Sequence, residues 1–330
     1  MIKTLKDSPQ KRAQTLSLIE SSFDYSSDNS FEIDFYPLMR NENAANNFIL
    51  LEDDKVIGHI GVLFKELELV DTSFSIPMLG GIAIDKEYRG RGKFRPFFND
   101  VLASIKDSPF YLLWSDKLDL YEHFEFYPCI EQFEYTGNLE MDNPNYIRMK
   151  LQELSDREIN ELSVIYNNAQ ELRYKRSTDD WQELKGITSS DIYIKKDNDI
   201  IINYFFMNKG EDLSDIIYEY GNVDDIEEIS TYGILWSPWN FEVESEEHKA
   251  LLYAALVRIN NFESFKQFVF LYSNKLIELK KIENDEILFT FEEKQMKISK
   301  IEFLQGIFGP NKFSELEQTQ KILISGLDSI

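Results

Sequence analysis

The sequence predicts a mixed α+β protein of two domains. Three observations carry this. Segments with a strand's period and segments with a helix's period alternate along the chain. At roughly 100–200 residues per domain, the 330 residues suggest two domains. The 43% hydrophobic and 14% aromatic content gives bulk for more than one packed core and excludes a disordered chain.

In order along the chain, Leu16, Ile19 and Phe23 share a face of 11–23, which predicts an amphipathic helix. An acidic stretch from Asp24 to Ser30 leads to a short helix in FEIDFYPLM, residues 31–39. NFILLE (47–52), the turn Asp53-Asp54 and KVIGHIGVLF (55–64) predict a β-hairpin. FSIPMLGGIAI (74–84) is a third strand, in which Gly80-Gly81 marks a bulge or a close backbone approach. Phe94, Phe97, Phe98, Val101, Leu102 and Ile105 form one helical face, and Pro96 is tolerable there only in a first turn, so that helix starts close to Lys93. A strand at 110–115, a short helix at 118–124 and two strands within 126–138 follow. EMDNPN (140–145) reads as a linker. Beyond it come a strand (YIRMKLQEL), a helix (DREINELSVIYNNAQ), a hairpin at 193–207, a strand DIIYEYG and a long apolar helix around Lys249–Ile259. The second hairpin echoes the first and hints at an internal duplication.

Several classes are excluded. A net charge of −24 repels polyphosphate, so no nucleic-acid partner is expected. Cys129 stands alone, which excludes a disulfide framework, and His59, His123 and His248 lack ligand spacing, so no metal is expected. The N-terminus has no apolar core of signal-peptide length, and no run approaches the roughly 18 apolar residues of a membrane helix. No membrane partner is therefore expected, and the expected compartment is the cytoplasm.

The chemistry concentrates at 82–95, IAIDKEYRGRGKFR. A strand ends near Ile84, a loop carries Arg89, Gly90, Arg91 and Gly92, and a helix begins. Free N–H groups at a helix start, glycines that admit a ligand to the backbone, and four cations (Arg89, Arg91, Lys93, Arg95) make an anion site, with diphosphate the obvious occupant. The bland alternative is a solvated charge run ahead of a helix.

This stretch resembles motif A of the GNAT superfamily of N-acetyltransferases, Arg/Gln-x-x-Gly-x-Gly/Ala, in Arg89 and Gly92; Phe94 replaces the final small residue. The R-x-R-G-x-bulky-R variant is similar to the tandem-domain enhanced-intracellular-survival branch. LYEHFEFYP (120–128) resembles the family's Tyr-Glu-x-x-Gly-Phe, with Glu125 in the glycine position. The resemblance implies a central twisted mixed sheet flanked by helices over residues 1–143, and acetyl-CoA as cosubstrate. It implies that the backbone of Ile82, Ala83 and Ile84 pairs with the pantetheine arm, and that Gly90, Gly92, Lys93, Phe94 and the three arginines hold the diphosphate. Tyr121 takes the place of the general acid that protonates the leaving thiolate; a half-buried structural aromatic is the alternative.

Residues 144–300 are expected to be a degenerate GNAT-like domain. Acidic NVDDIEEIS follows its strand 216–221, where a phosphate loop would lie. An unrelated α+β domain is the alternative. Residues 301–330 are expected to pack back toward the active site. In the branch named above the terminal carboxylate acts as base, which implies that role for Ile330; a tail that merely docks on the surface is the alternative. Asp24, Asp28, Glu32 and Asp34 are candidate amine contacts or simply a solvated loop. Trp114, Ser115 and Asp116 end a central strand near the expected site, His59 reads as a core histidine, and Cys129 is not expected to be a nucleophile.

The expected function is direct transfer of an acetyl group from acetyl-CoA to a primary, cationic amine of a small molecule or peptide. The rivals are a non-catalytic acyl-CoA-binding or sensing protein and a structural interaction module.

Overall fold

A computed structural model describes residues 1–26, 29–137, 145–242, 246–317 and 319–329. Asp28, Ile330 and all but Asn145 of the expected linker lie outside the described residues. In chain order the strands are β1 (Ile2–Thr4), β2 (Asn47–Glu52), β3 (Lys55–Leu69), β4 (Thr72–Ile84), β5 (Phe110–Leu113), β6 (Tyr127–Gly137), β7 (Ile147–Met149), β8 (Asp191–Asp197), β9 (Ile200–Met207), β10 (Ile216–Tyr220), β11 (Ile234–Ser237), β12 (Glu246–Ile259), β13 (Ile277–Glu283), β14 (Glu286–Phe291) and β15 (Lys294–Ser299). The helices are α1 (Arg12–Ser22), α2 (Phe31–Asp34), α3 (Tyr36–Met39), α4 (Phe94–Ser104), α5 (Leu118–Glu122), α6 (Asp156–Asn167), α7 (Thr178–Leu184), α8 (Ile226–Ile229), α9 (Phe262–Tyr272) and α10 (Lys300–Phe308).

Twelve strands form one mixed sheet, ordered β1-β2-β3-β4-β5-β12-β6-β11-β10-β9-β8-β7, and β13-β14-β15 form a second. Both arms of the large sheet follow one rule. β2, β3 and β4 are antiparallel neighbours and β5 lies parallel to β4. Likewise β8, β9 and β10 are antiparallel neighbours and β11 lies parallel to β10. At the centre the arms exchange strands. β12, from late in the chain, pairs with β5, and β6, from the first half, pairs with β11.

Helices cover both faces. On one side of the first arm, Phe97, Phe98, Val101 and Leu102 of α4 pack with Tyr111, Tyr121 and Phe126. On the other, Leu18 and Ile19 of α1 join Phe265 and Phe268 of α9 and Phe303 and Ile307 of α10. α6 and α7 cover the second arm through Ile159, Leu162, Trp181 and Leu184. Among the described residues no helix is long and apolar enough to cross a membrane.

Three expectations are corrected. Lys249–Ile259 is strand β12, not a helix. It has sheet neighbours on both sides, and Ala254, Ala255, Leu256 and Val257 are all buried. A strand covered on both faces loses its alternation, and an Ala/Leu-rich one then imitates a buried helix. Residues 126–138 hold one continuous strand, β6, rather than two; Pro128 and the polar Glu131-Gln132 interrupt its apolar pattern. Phe23, grouped with the core face of α1, is 49% exposed.

Candidate active site

The site begins where the sheet opens. β4 and β5 pair at Met78–Leu112 and Leu79–Leu113. β5 then ends, while β4 continues to Ile84 against β3 alone. Backbone groups at 80–84 are thus left along one edge, ready for an extended ligand. The bulge expected at Gly80-Gly81 is present as a register shift. Gly81 has φ +57°, and a Cβ there would come within 3.0 Å of the Phe31 ring and 3.1 Å of His59 Nδ1. His59 donates from Nδ1 to the Gly81 carbonyl at 2.7 Å. Its Nε2 faces Asn47 Oδ1 at 3.0 Å, and complete burial pulls its pKa down to about 4, against the lesser upward pull of the Gly81 bond; it is a structural group. Ile82 and Ile84 line the cavity that opens here, whereas the Ala83 side chain is buried in the core and leaves only its backbone for a ligand.

The loop after β4 is held open by short-range bonds. Asp85 accepts from the Glu87 N–H at 2.9 Å, and Arg89 Nε donates back to the Ile84 carbonyl at 2.9 Å. Gly90 and Gly92 both have φ +72°, with nothing within 4 Å of where a Cβ would stand. The left-handed backbone, not crowding, is what requires glycine. α4 then starts with no side-chain cap and no acid in its first turn. Its leading N–H groups and positive dipole end are therefore free for an anion. Arg89, Gly90, Gly92, Lys93, Phe94 and Arg95 line the cavity; Arg91 does not, and stacks on Tyr88 at 5.4 Å. Lys93 is ion-paired with Glu52, and Arg95 lies 5.4 Å from the Phe124 ring centre.

α5 turns Tyr121 into the same cavity, 6% exposed, with its ring edge-on to Phe94 at 6.4 Å. Burial, then the charge of Asp116, raises the pKa of its hydroxyl, which stays protonated at neutral pH. Glu125 has φ +62°. The position that prefers glycine thus keeps its left-handed geometry, and the carboxylate is tied to Lys300 at 2.8 Å. Cys129 is fully buried and its thiol pKa is raised by that burial, in keeping with an inert thiol.

The cavity measures about 650 Å³, and its other end is aromatic and acidic. Phe23, Tyr25, Phe31 and Phe35 come from the α1–α2 region, Trp114, Ser115 and Asp116 from the end of β5, and Asp212 from the loop between β9 and β10. Of the four acids singled out in the sequence, Asp24 is exposed and near Lys86, and Glu32 pairs with Arg12. Among the three that are described, Asp34 alone is buried, with Oδ2 unpartnered and packed on Gly210, where a Cβ would come within 2.3 Å. The Tyr25 hydroxyl bonds Asp34. Partial burial, then Asp34, raises the pKa of Asp212.

Two residues that sequence reasoning missed complete this end, Asp212 and Lys209. The Lys209 ammonium sits 4.5 Å from the centre of Phe35 and donates to the carbonyls of Gly326 and Ser329 at 2.6 and 2.8 Å. Burial brings its pKa down to about 7, against the upward pull of Asp328 and Asp34. The tail thus returns to the wall behind Phe35 at least as far as Ser329. In the second arm, the segment after β10 offers no comparable anion site. Asn222 caps the turn that follows, and Asp225 and Glu228 are both bound to Lys195.

Parallel strands that part beside a bulge, a positive-φ glycine loop and an uncapped helix start thus meet around one cavity. Residues 3–129 match the family model for the acetyltransferase (GNAT) domain. Solved structures share the fold of nearly the whole chain. A probable N-acyltransferase from Enterococcus faecalis is 12% identical with a TM-score of 0.60, covering 91% of this chain and 85% of that one. Eis1 from Mycobacterium abscessus is 10% identical with a TM-score of 0.60, covering 96% and 92%. A GCN5-related N-acetyltransferase from Anabaena variabilis is 16% identical with a TM-score of 0.57, covering 91% and 85%. The chain therefore shares the fold of these structures over nearly its whole length. No curated protein matches the sequence.

Proposed function

We propose that the protein is an acetyl-CoA-dependent N-acetyltransferase of the cytoplasm that acetylates a primary, cationic amine. The observation that carries this is the conjunction, around one cavity, of the Gly90/Gly92 loop at the start of α4, the free edge of β4 and the Tyr121 hydroxyl. We take residues 1–143 as the catalytic domain, 144–300 as its degenerate copy and 301–330 as the tail.

The cosubstrate supplies an acetyl group activated as a thioester. Backbone N–H groups at the start of α4, with Arg89 and Arg95, would hold its diphosphate, and the β4 edge from Ile82 to Ile84 would hold its arm. Tyr121 keeps a proton available for the leaving sulfur, because burial disfavours its phenolate. The incoming ammonium must give up a proton before its nitrogen can attack. That proton passes to a base at the acceptor end of the cavity. The bonds from Lys209 to Gly326 and Ser329 support a tail ordered close to this end of the cavity.

The test is thiol release from acetyl-CoA against a panel of amines, with calorimetry of coenzyme A binding beside it. Amine-dependent release is the expected result. Binding without turnover on any amine would make the protein an acyl-CoA sensor.

A further inference from the structure

The walls of the acceptor end carry information about the amine itself. The Phe31 ring stands at the Gly81 bulge, beside the point where β4 and β5 part. Around it lie Phe35 at 4.6 Å, Tyr25 edge-on at 6.0 Å and Phe23 stacked at 6.3 Å between ring centres. A substrate entering beside these rings meets hydrocarbon, and hydroxyl groups placed there would lose their water without gaining partners.

The charge on these walls is sparse. At this end the cavity is lined by two described carboxylates, Asp116 and Asp212. Asp116 is exposed and has Lys117 beside it at 3.3 Å. Asp212 is thus the lining carboxylate with no cation within ion-pair distance among the described residues; Asp34 and Glu211 add to the negative potential there, and Lys209, farther off, offsets part of it. One free carboxylate among aromatic rings suits one ammonium, which both the charge and the ring faces attract. Spreading several ammonium groups along the cavity would instead set them against Arg89, Lys93 and Arg95 at the other end.

Resting on the acetyltransferase reading, we propose that the acceptor is a single ammonium carried on an apolar, ring-sized body, an amine of the arylalkylamine class. Asp212 binds the ammonium and the Phe23–Phe35 rings hold the body.

The experiment compares kcat/KM of the full chain for 2-phenylethylamine, spermidine and kanamycin at saturating acetyl-CoA. The expected result is a preference of at least tenfold for 2-phenylethylamine. Asp212→Asn, at an exposed position, raises KM for that amine about tenfold and leaves acetyl-CoA affinity unchanged. Phe23→Ser, also exposed, lowers kcat/KM for 2-phenylethylamine at least threefold. A preference for kanamycin or spermidine, or an Asp212→Asn enzyme with unchanged KM, overturns the inference and leaves the acetyltransferase reading standing. Bound acetyl-CoA with no turnover on any of the three amines overturns the inference, and the acetyltransferase reading falls with it only if the whole amine panel is silent.

Discussion

Arg176 and Asp328 lie 2.7 Å apart with both side chains fully shielded from solvent. The same guanidinium holds Glu219 of β10 at 2.8 and 2.6 Å, and Lys65 of β3 takes the other side of Asp328 at 2.9 Å. Two cations and two carboxylates thus balance inside the protein. They come from the first arm, the approach to α7, the second arm and the tail, so one cluster joins the parts that enclose the cavity. Burial alone would raise the pKa of Asp328, but Arg176 and Lys65 overcome it and hold it at about 2.

Asp328→Asn keeps the shape of the side chain and leaves Arg176 and Lys65 facing Glu219 alone. Breaking one side of a buried ion cluster costs about 3–5 kcal/mol, and urea unfolding at pH 7 is expected to show a loss of that size. Asp328 has a depressed native pKa, so its contribution is complete above 3.8 and is lost only as pH falls toward about 2. Between pH 7 and pH 5 Asp328 itself stays ionised, but it also holds up the Lys209 pKa of about 7, so the deficit of the variant should widen as that lysine becomes fully protonated toward pH 5. A loss below about 1 kcal/mol, the scale of a surface pair, would mean that the cluster is solvated in solution.

Gly92 separates conformation from charge. Space is free around it, and φ +72° is the constraint. Asn tolerates the left-handed region better than most residues, so Gly92→Asn should weaken coenzyme A binding only a few-fold. Gly92→Asp has nearly the same shape but sets a negative charge against the diphosphate, and calorimetry should show a loss of more than tenfold, about 1.4 kcal/mol. Equal losses for the two variants would mean that the loop does not face the diphosphate.

What was legible in the sequence was local. The α4 stripe, the hairpin at 47–64 and the loop at 89–92 are each written within a few turns or strands, and the anion site needs its glycines and its helix start to be adjacent. Tyr121 was legible for the same reason, through its spacing to Phe126. β12 was not, because both of its faces are covered by long-range packing that no local period reports. Asp212 and Lys209 were not, because they reach the cavity and the wall behind Phe35 from a loop of the second arm, across a sheet exchange. Among the described acids Asp24, Glu32 and Asp34, burial against Gly210 distinguishes Asp34, and that neighbour is distant in the chain.

His59 gives the fold an acid sensitivity at the site. Its native pKa of about 4 lies below the ordinary 6.5 because the charged ring is disfavoured by burial. The unfolded chain therefore binds an extra proton between those values, and stability falls as pH drops from 6.5 toward 4. Between pH 7 and pH 5 this amounts to about 2 kcal/mol. His59→Gln, which can still donate to the Gly81 carbonyl, should lose this part of the pH dependence. An unchanged slope of unfolding free energy against pH in that variant would place the acid sensitivity elsewhere.

Tyr121→Phe tests the proton donor with the smallest possible change. The ring packs against Phe94, Phe98 and Phe126, and phenylalanine retains those contacts. The fold and coenzyme A affinity should hold, with thermal midpoint and calorimetry as the checks. Loss of a general acid lowers kcat by about 10²–10³, and the deficit should shrink for an acyl donor whose thiol leaves readily without protonation. The wild-type hydroxyl has its pKa raised by burial and by Asp116, so the alkaline loss of kcat due to Tyr121 should begin above the ordinary phenol range. Near-wild-type turnover of Tyr121→Phe on a good acceptor would remove this hydroxyl from the mechanism and leave it as the polar end of a packed aromatic cluster.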